Sequence, residues 1–361
     1  MQTLINIIVF LLVLGTIIII HELGHFLAAK LFGVYCGQFS IGFGPKIWSK
    51  KGKETEYELR ALPFGGFVAM AGEEDQEDNE SMKNVPYERT LKGIKAYQKI
   101  IIFGAGVFMN FILAIVVLFS VNLVSGKVPV VVAQIGEIAQ NSPAQEYGLE
   151  VNDVITQVDV QETGETYLIS NYGDLDLSRN HLNTESDTIH VTVTVQRNDS
   201  KQSIPMTLSY DAQRGIYPLG IVQATRAMSF PEVIQYTFMS FGEMSVAIFQ
   251  ALGQLITQFS KTITQLSGPA GIYQITAEVT ESGQVGYIFN LLAMLSVNVG
   301  IFNLLPIPGL DGCQILFVVV ERIIGRELPS KMKLILQMMG LALVMLLMIF
   351  VTFQDISRIF G

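Results

Sequence analysis

The sequence predicts a polytopic α-helical membrane protein with about four transmembrane helices, a membrane-associated β-sheet on the cytoplasmic side and one extracytoplasmic α+β domain. Three observations predict this fold class. Of the 361 residues, 50% are hydrophobic and only 15% are charged, whereas soluble domains carry about 25% charged residues; the mean hydropathy is +0.43. Four segments are apolar over roughly the 20 residues that cross a hydrocarbon core. Lys and Arg are distributed unevenly among the segments between them.

The first apolar segment contains no charge before His21 and is predicted to form one transmembrane helix over 1–32. It lacks the basic n-region and the small-residue cleavage site of a signal peptide, so we expect it to remain uncleaved. The other predicted spans are 100–125, 285–312 and 334–353.

The connecting segments differ in charge. Residues 33–99 contain ten Lys and Arg and the loop 313–333 contains four, whereas 126–284 contains seven against seventeen Asp and Glu. The positive-inside rule therefore places 33–99 and 313–333 in the cytoplasm, and 126–284 with both termini outside. No basic patch indicates nucleic-acid binding.

Residues 33–99 form the predicted β-rich, membrane-associated region and loop. Alternating glycines, aromatic residues and β-formers over 33–72 predict short strands joined by turns. The stretch 63–68 is too apolar for an ordinary cytosolic loop, which predicts a sheet edge that dips toward the membrane.

Residues 126–222 have the composition of a soluble domain and are long enough to bury their own core. A short helix is predicted to begin at Ser142 and Pro143 and to end at Gly148. Apolar residues then recur at helical spacing after 230, so that 223–284 is predicted to be an amphipathic helical segment on the outer membrane surface. Insertion of 230–266 as a fifth span is the alternative.

The pentapeptide HELGH places two histidines on one face of the first helix. His21 and His25 are separated by one helical turn, so both imidazoles can bind one metal ion. Glu22 lies between them and is placed to act as a general base toward a water at that metal. The motif predicts hydrolytic chemistry inside a bilayer or at its edge.

A second polar group is predicted at the same depth. The third span is interrupted by Pro306 and Pro308 and carries Asp311. An acidic residue at the end of an apolar helix costs free energy, which makes it a candidate functional residue. Freed backbone carbonyls must be satisfied by protein or by water in a cavity, because lipid cannot satisfy them. His21, His25 and Asp311 would leave one coordination position open, as catalytic zinc sites do.

The two cysteines, Cys36 and Cys313, fall on the cytoplasmic side, where we expect free thiols and no structural disulfide. Additional metal ligation by these thiols is the alternative.

The motifs together resemble the site-2 protease family of intramembrane zinc metalloproteases, and specifically its bacterial RseP/RasP-like branch, which acts in regulated intramembrane proteolysis and sigma-factor signalling. The resemblance extends over nearly the whole chain in order. It rests on HELGH (21–25), FSIGFGP (39–45), LPFGGFVAMAGE (62–73), GAGVFMNF (104–111), NSPAQEYGLEVNDVI (141–155), LSGPAGI (266–272) and NLLPIPGLDG (303–312). The stretch 141–155 is similar to the helix-to-strand signature of bacterial PDZ domains. Cys313 stands where the family usually has a second glycine.

The resemblance implies a zinc metalloendopeptidase of a bacterial plasma membrane. It would cleave the transmembrane segments of single-span substrates such as anti-sigma factors and signal-peptide remnants, after a site-1 protease has trimmed their ectodomains. Its PDZ-like domain would lie outside the membrane, where it either binds a new C-terminus or excludes bulky ectodomains.

A substrate helix must be unwound before its amides can be attacked. A strand edge at Gly65 and Gly66 could then receive the substrate as an added strand, and Asn298 and Asn303 could hydrogen-bond the extracted backbone. Pro306, Pro308 and Gly312 are expected to support the site structurally.

Two other function classes remain open on the sequence. A non-catalytic membrane scaffold would use its PDZ-like domain and leave the metal motif structural. A membrane metal transporter would share histidines and acids within spans, although it has no need for Glu22 or for a sheet edge.

Overall fold

The structure is a computed structural model that describes residues 2–73, 82, 84–175, 187–211, 216–258 and 268–360. The chain divides into two compact units, one of Met1–Ser125 with Val233–Gly361 and one of Gly126–Glu232.

Among the described residues, four helices of the first unit are long and apolar enough to cross a membrane. They are α1 (Gln2–Leu31), α2 (Ala96–Ser125), α6 (Val285–Leu304) and α8 (Ser330–Phe360). Their number confirms the prediction of a multi-pass membrane protein. The apolar segment and HELGH form one uninterrupted helix, because the pattern contains no proline and ends at Gly33, which has a φ of 78°.

Apolar side chains of α1, α2 and α6 pack into one core. Val13 and Ile17 of α1 belong to one buried cluster with residues of α2 such as Val117 and residues of α6 such as Leu295. Large apolar side chains on the opposite faces stay exposed, as expected where lipid replaces water.

The third span differs in extent from the prediction of 285–312. Helix α6 ends at Leu304, and a new helix, α7 (Asp311–Ile324), occupies the first part of the segment predicted as the loop 313–333. Pro306 and Pro308 have no backbone donor to continue the helix. Gly309 then turns the chain with a φ of 94°, which favours glycine.

The predicted short strands are parts of two long ones, β1 (Cys36–Lys51) and β2 (Glu56–Met70). Both bend at glycines with positive φ, namely Gly42, Gly44 and Gly65. Residues 46–51 pair with 56–60, and residues 38–41 have partners in both 56–59 and 66–69. Among the described residues, 66–70 therefore has one paired neighbour and forms an edge of the sheet.

The second unit is an α+β domain with its own core. A four-stranded sheet has the order β6 (Thr166–Leu168), β5 (Val154–Val160), β7 (Thr188–Arg197), β8 (Ser200–Ser209). Two two-stranded sheets pair β3 (Lys127–Pro129) with β10 (Thr225–Ala227) and β4 (Ile135–Ile138) with β9 (Ile221–Gln223). The predicted short helix is α3 (Pro143–Glu146), which Ser142 caps by accepting from the Gln145 amide.

Two further helices belong to the segment predicted as amphipathic: α4 (Phe230–Thr257) and α5 (Pro269–Glu281). Phe241, Met244 and Ile248 of α4 pack against the core of the spans. Helix α5 is held at both ends. The carboxylate of Asp355 accepts from the amides of Gly268 and Gly271 at 2.8 Å each, and Asn6 donates to Glu281 at 2.9 Å.

Candidate active site

Three side chains from distant parts of the chain converge beside the end of α6. His21 and His25 project from one face of α1, and their Nε2 atoms are 3.2 Å apart. Oδ2 of Asp311, the first residue of α7, lies 3.1 Å from Nε2 of His21 and 3.3 Å from Nε2 of His25. The structure thus brings together the three predicted ligands, and their ligand atoms lie within 4.8 Å of one another.

The chemistry of this donor set fits a zinc ion. Nδ1 of His25 lies 2.8 Å from the carbonyl oxygen of Ile102, which can only accept. Neutral His25 therefore carries its proton on Nδ1 and directs the lone pair of Nε2 toward Asp311. Two imidazole nitrogens and a carboxylate oxygen that face one point are the ligands of a three-residue catalytic zinc site.

A cavity of about 490 Å³ opens in front of the three residues. Glu22 lines it from α1, and Gly65 and Gly66 line it from the sheet edge. An added Cβ on Gly66 would lie 3.0 Å from Cγ of Glu22, so the edge runs directly past the proposed base. The other wall belongs to α8, whose contributing side chains are Leu334, Gln337, Met338 and Leu341.

The two predicted asparagines differ in position. Asn303 lines the cavity, and its Nδ2 is 3.4 Å from Nε2 of His21. Asn298 is half-buried on α6 and is not among the residues that line the cavity.

The supporting residues shape the break after α6. A Cβ on Gly312 would lie 2.2 Å from the carbonyl oxygen of Leu304, so only glycine allows α7 to begin against the end of α6. Pro308 packs closely against α8. A Cβ added to Gly340 of α8 would lie 1.8 Å from the Pro308 carbonyl oxygen, so only glycine fits at that position.

Both cysteines are free and buried, and neither belongs to the metal-binding group found among the described residues. Burial raises the pKa of the Cys36 thiol to about 12, and burial also raises that of Cys313. Both thiols are therefore protonated at neutral pH, which is consistent with the expectation of free thiols.

Sequence reasoning missed two polar residues. Gln337 lines the cavity, and a lone glutamine within the apolar span 334–353 is the signal that could have indicated it. Asn110 is fully buried on α2, with its Nδ2 3.2 Å from Nδ1 of His21. It lies in the stretch GAGVFMNF, which the resemblance includes without assigning it a role.

Comparison with known proteins gives one family and several full-length relatives. The model of peptidase family M50 matches residues 9–347. A Clostridium perfringens protein, whose name marks it provisionally as a zinc metalloprotease, is 34% identical over 96% of this chain and 97% of its own length. The regulator of sigma-W protease RasP from Bacillus subtilis is 31% identical over 98% of this chain and 99% of its own. The zinc metalloprotease RasP of Bacillus licheniformis is 30% identical over the same shares.

Proposed function

Because this chain belongs to peptidase family M50, the site-2 protease family, and is a zinc metalloprotease, we propose that it hydrolyses peptide bonds within the transmembrane segments of single-span membrane proteins. His21, His25 and Asp311 would hold the zinc ion, and Glu22 would act as the general base. The observation that carries this proposal is the convergence of these residues at one cavity among apolar helices.

The zinc ion, when bound, lowers the pKa of a water molecule to about 7 and polarises the scissile carbonyl. Glu22 lies one residue from His21 and lines the same cavity, so its carboxylate can take the proton of the attacking water and pass it to the leaving nitrogen. Half-burial of Glu22 at the cavity wall keeps this group accessible to the substrate.

The sheet edge supports the capture of an unwound substrate. Residues 66–70 pair with 36–41 on one side, and Gly66 and Phe67 face the cavity. An extended substrate segment can add to this edge through main-chain hydrogen bonds, which also satisfies amides that lipid cannot satisfy. Asn303 adds a side-chain amide beside the proposed metal ligands. A hydrogen bond from Asn298 to the substrate backbone stays a prediction.

We propose the topology on the positive-inside rule: the site faces the cytoplasmic side, whereas 126–222 and both termini are extracytoplasmic. The second unit, with its capped helix α3 leading toward strand β5, is proposed to be a PDZ-like domain. The name of the Bacillus subtilis relative links that protein to the regulation of sigma-W. For this chain we propose anti-sigma factors as substrates, trimmed beforehand by a site-1 protease.

The test is Glu22→Gln in the full-length chain, reconstituted with a single-span model substrate. We expect loss of cleavage with zinc content unchanged, because the amide cannot accept the proton and Glu22 is not a proposed ligand. The matched control is Glu54→Gln, an exposed glutamate in the turn between β1 and β2 that pairs with Lys30 and Arg89. Cleavage by Glu22→Gln at the wild-type rate would exclude Glu22 as the base. Zinc flux into liposomes without cleavage would indicate a transporter.

A further inference from the structure

One face of α2 lies against both histidines. Ile102, Gly106 and Asn110 follow each other at four-residue intervals and so lie along one side of the helix. The Ile102 carbonyl contacts Nδ1 of His25 and the Asn110 amide contacts Nδ1 of His21. The second nitrogen of each imidazole thus meets a polar group of the same helix.

Gly106 allows this approach. A Cβ at this position would lie 2.3 Å from Nε2 of His25 and 2.7 Å from Cε1 of His21, so no side chain fits between the two contacts. Asn110 is held in turn by α6, since the Ser296 hydroxyl donates to its backbone carbonyl at 2.8 Å. This bond fixes the main chain from which the Asn110 side chain reaches the ring of His21.

The metal-binding tautomer decides which end of the amide faces that ring. A metal on Nε2 requires the imidazole proton to be on Nδ1, where it needs an acceptor. A half-turn of a carboxamide exchanges its oxygen and its nitrogen, and Oδ1 of Asn110 has no other hydrogen-bond partner among the described residues. Binding at Nε2 therefore selects the orientation in which Oδ1 accepts from His21.

We propose that Asn110 is the positioning residue of His21: its side-chain oxygen accepts the Nδ1 proton and so fixes the ring and its tautomer for metal binding through Nε2. This inference rests on the proposed ligand role of His21. Helix α2 would then supply the hydrogen-bond acceptor for Nδ1 of both histidines: the main-chain carbonyl of Ile102 for His25 and the side-chain oxygen of Asn110 for His21.

The competing explanation is helix packing, since a buried amide can serve only to join two helices. Asn122 does this further along α2, where its Nδ2 donates to Thr237 of α4 at 3.3 Å. Asn122→Leu is therefore the matched control, because it removes an interhelical amide from the same helix without touching a histidine.

The experiment compares the full-length wild type, Asn110→Leu, Asn110→Asp and Asn122→Leu in detergent. Zinc affinity is measured by competition with a chelator, and the absorption of the Co²⁺ form reports the ligand geometry. We expect Asn110→Leu to weaken zinc binding by about 10- to 100-fold. Asn110→Asp should bind zinc at least as tightly as the wild type, since a carboxylate accepts the same proton, and Asn122→Leu should match the wild type.

Wild-type zinc affinity in folded Asn110→Leu would overturn the proposal. So would equal weakening in Asn110→Leu and Asn110→Asp, because a pure acceptor cannot reproduce packing or a donated hydrogen bond. If Asn110→Leu does not fold, Asn110→Asp decides alone: retained affinity supports the acceptor role and lost affinity overturns it. A wild type and Asn122→Leu that both lack zinc would overturn the ligand assignment itself, and this inference with it.

Discussion

Gly24 of α1 crosses Gly106 of α2 at a distance that leaves no room for a side chain. A Cβ on Gly24 would lie 2.9 Å from Cα of Gly106 and 2.3 Å from the carbonyl oxygen of Ala105. Gly24 is the fourth residue of HELGH, so the metal motif also contains the crossing point of the two helices. Close packing here brings the face of α2 against both imidazoles.

We expect Gly24→Ala to lower the free energy of unfolding by about 1–3 kcal/mol, because backbone atoms must move to admit the methyl group. The measurement is thermal unfolding in detergent together with zinc content. Gly15→Ala is the control on the same helix, since nothing lies within 4 Å of its added Cβ. Equal unfolding temperatures for the two variants would contradict the close crossing.

Zinc removal should destabilise the protein as well as stop cleavage. A ligand that binds only the folded state adds to its stability, and the candidate ligands His21, His25 and Asp311 come together only in that state. Chelation should therefore lower the unfolding temperature of the wild type. His25→Ala should unfold at the same temperature with and without chelator; a full response of this variant would place the metal elsewhere.

Gln337 should contribute to substrate binding from α8. We expect Gln337→Leu to remove a hydrogen bond to the extracted substrate backbone, at a cost of about 1 kcal/mol or roughly a fivefold rise in KM, with zinc content unchanged. The neighbouring cavity residue offers the comparison, because Met338→Leu conserves volume and apolar character. Equal KM values for the two variants would remove Gln337 from the binding site.

Asp355 should stabilise the protein by capping α5. Its carboxylate is buried and accepts from two backbone amides, so Asp355→Ala leaves both donors without this partner. We expect a loss of about 0.5–2 kcal/mol in the free energy of unfolding, and a smaller loss for Asp355→Asn, which keeps one acceptor oxygen. Thr352→Ala, about one turn away on α8, removes only a hydroxyl that donates within the helix to the Met348 carbonyl, and should be close to neutral. A neutral Asp355→Ala would show that α5 holds its place without the cap.

Several features of the fold were predictable because they depend on local pattern. A run of apolar residues of sufficient length specifies a span whatever surrounds it, and the Ser142–Pro143 start of α3 is a local capping signal. The bends of β1 and β2 were harder to predict from the sequence. In a sequence, a glycine such as Gly42 is equally compatible with a turn between two strands and with a bend within one strand. Only the pairing of the flanking residues distinguishes the two cases.

The sequence by itself predicted four spans, two histidines one turn apart and, beyond the two prolines, an Asp close to the end of the third span. Tertiary structure alone decided the meeting of Asp311 with the histidines at 3.1 and 3.3 Å, and the facing of α2 toward their outer nitrogens. The physical reason is that helix formation and membrane insertion follow short-range periodicity and hydrophobic length. The contacts of Asn110, in contrast, depend on how far α2 is rotated about its axis and how closely Gly24 lets it approach, which is a property of packing between distant residues.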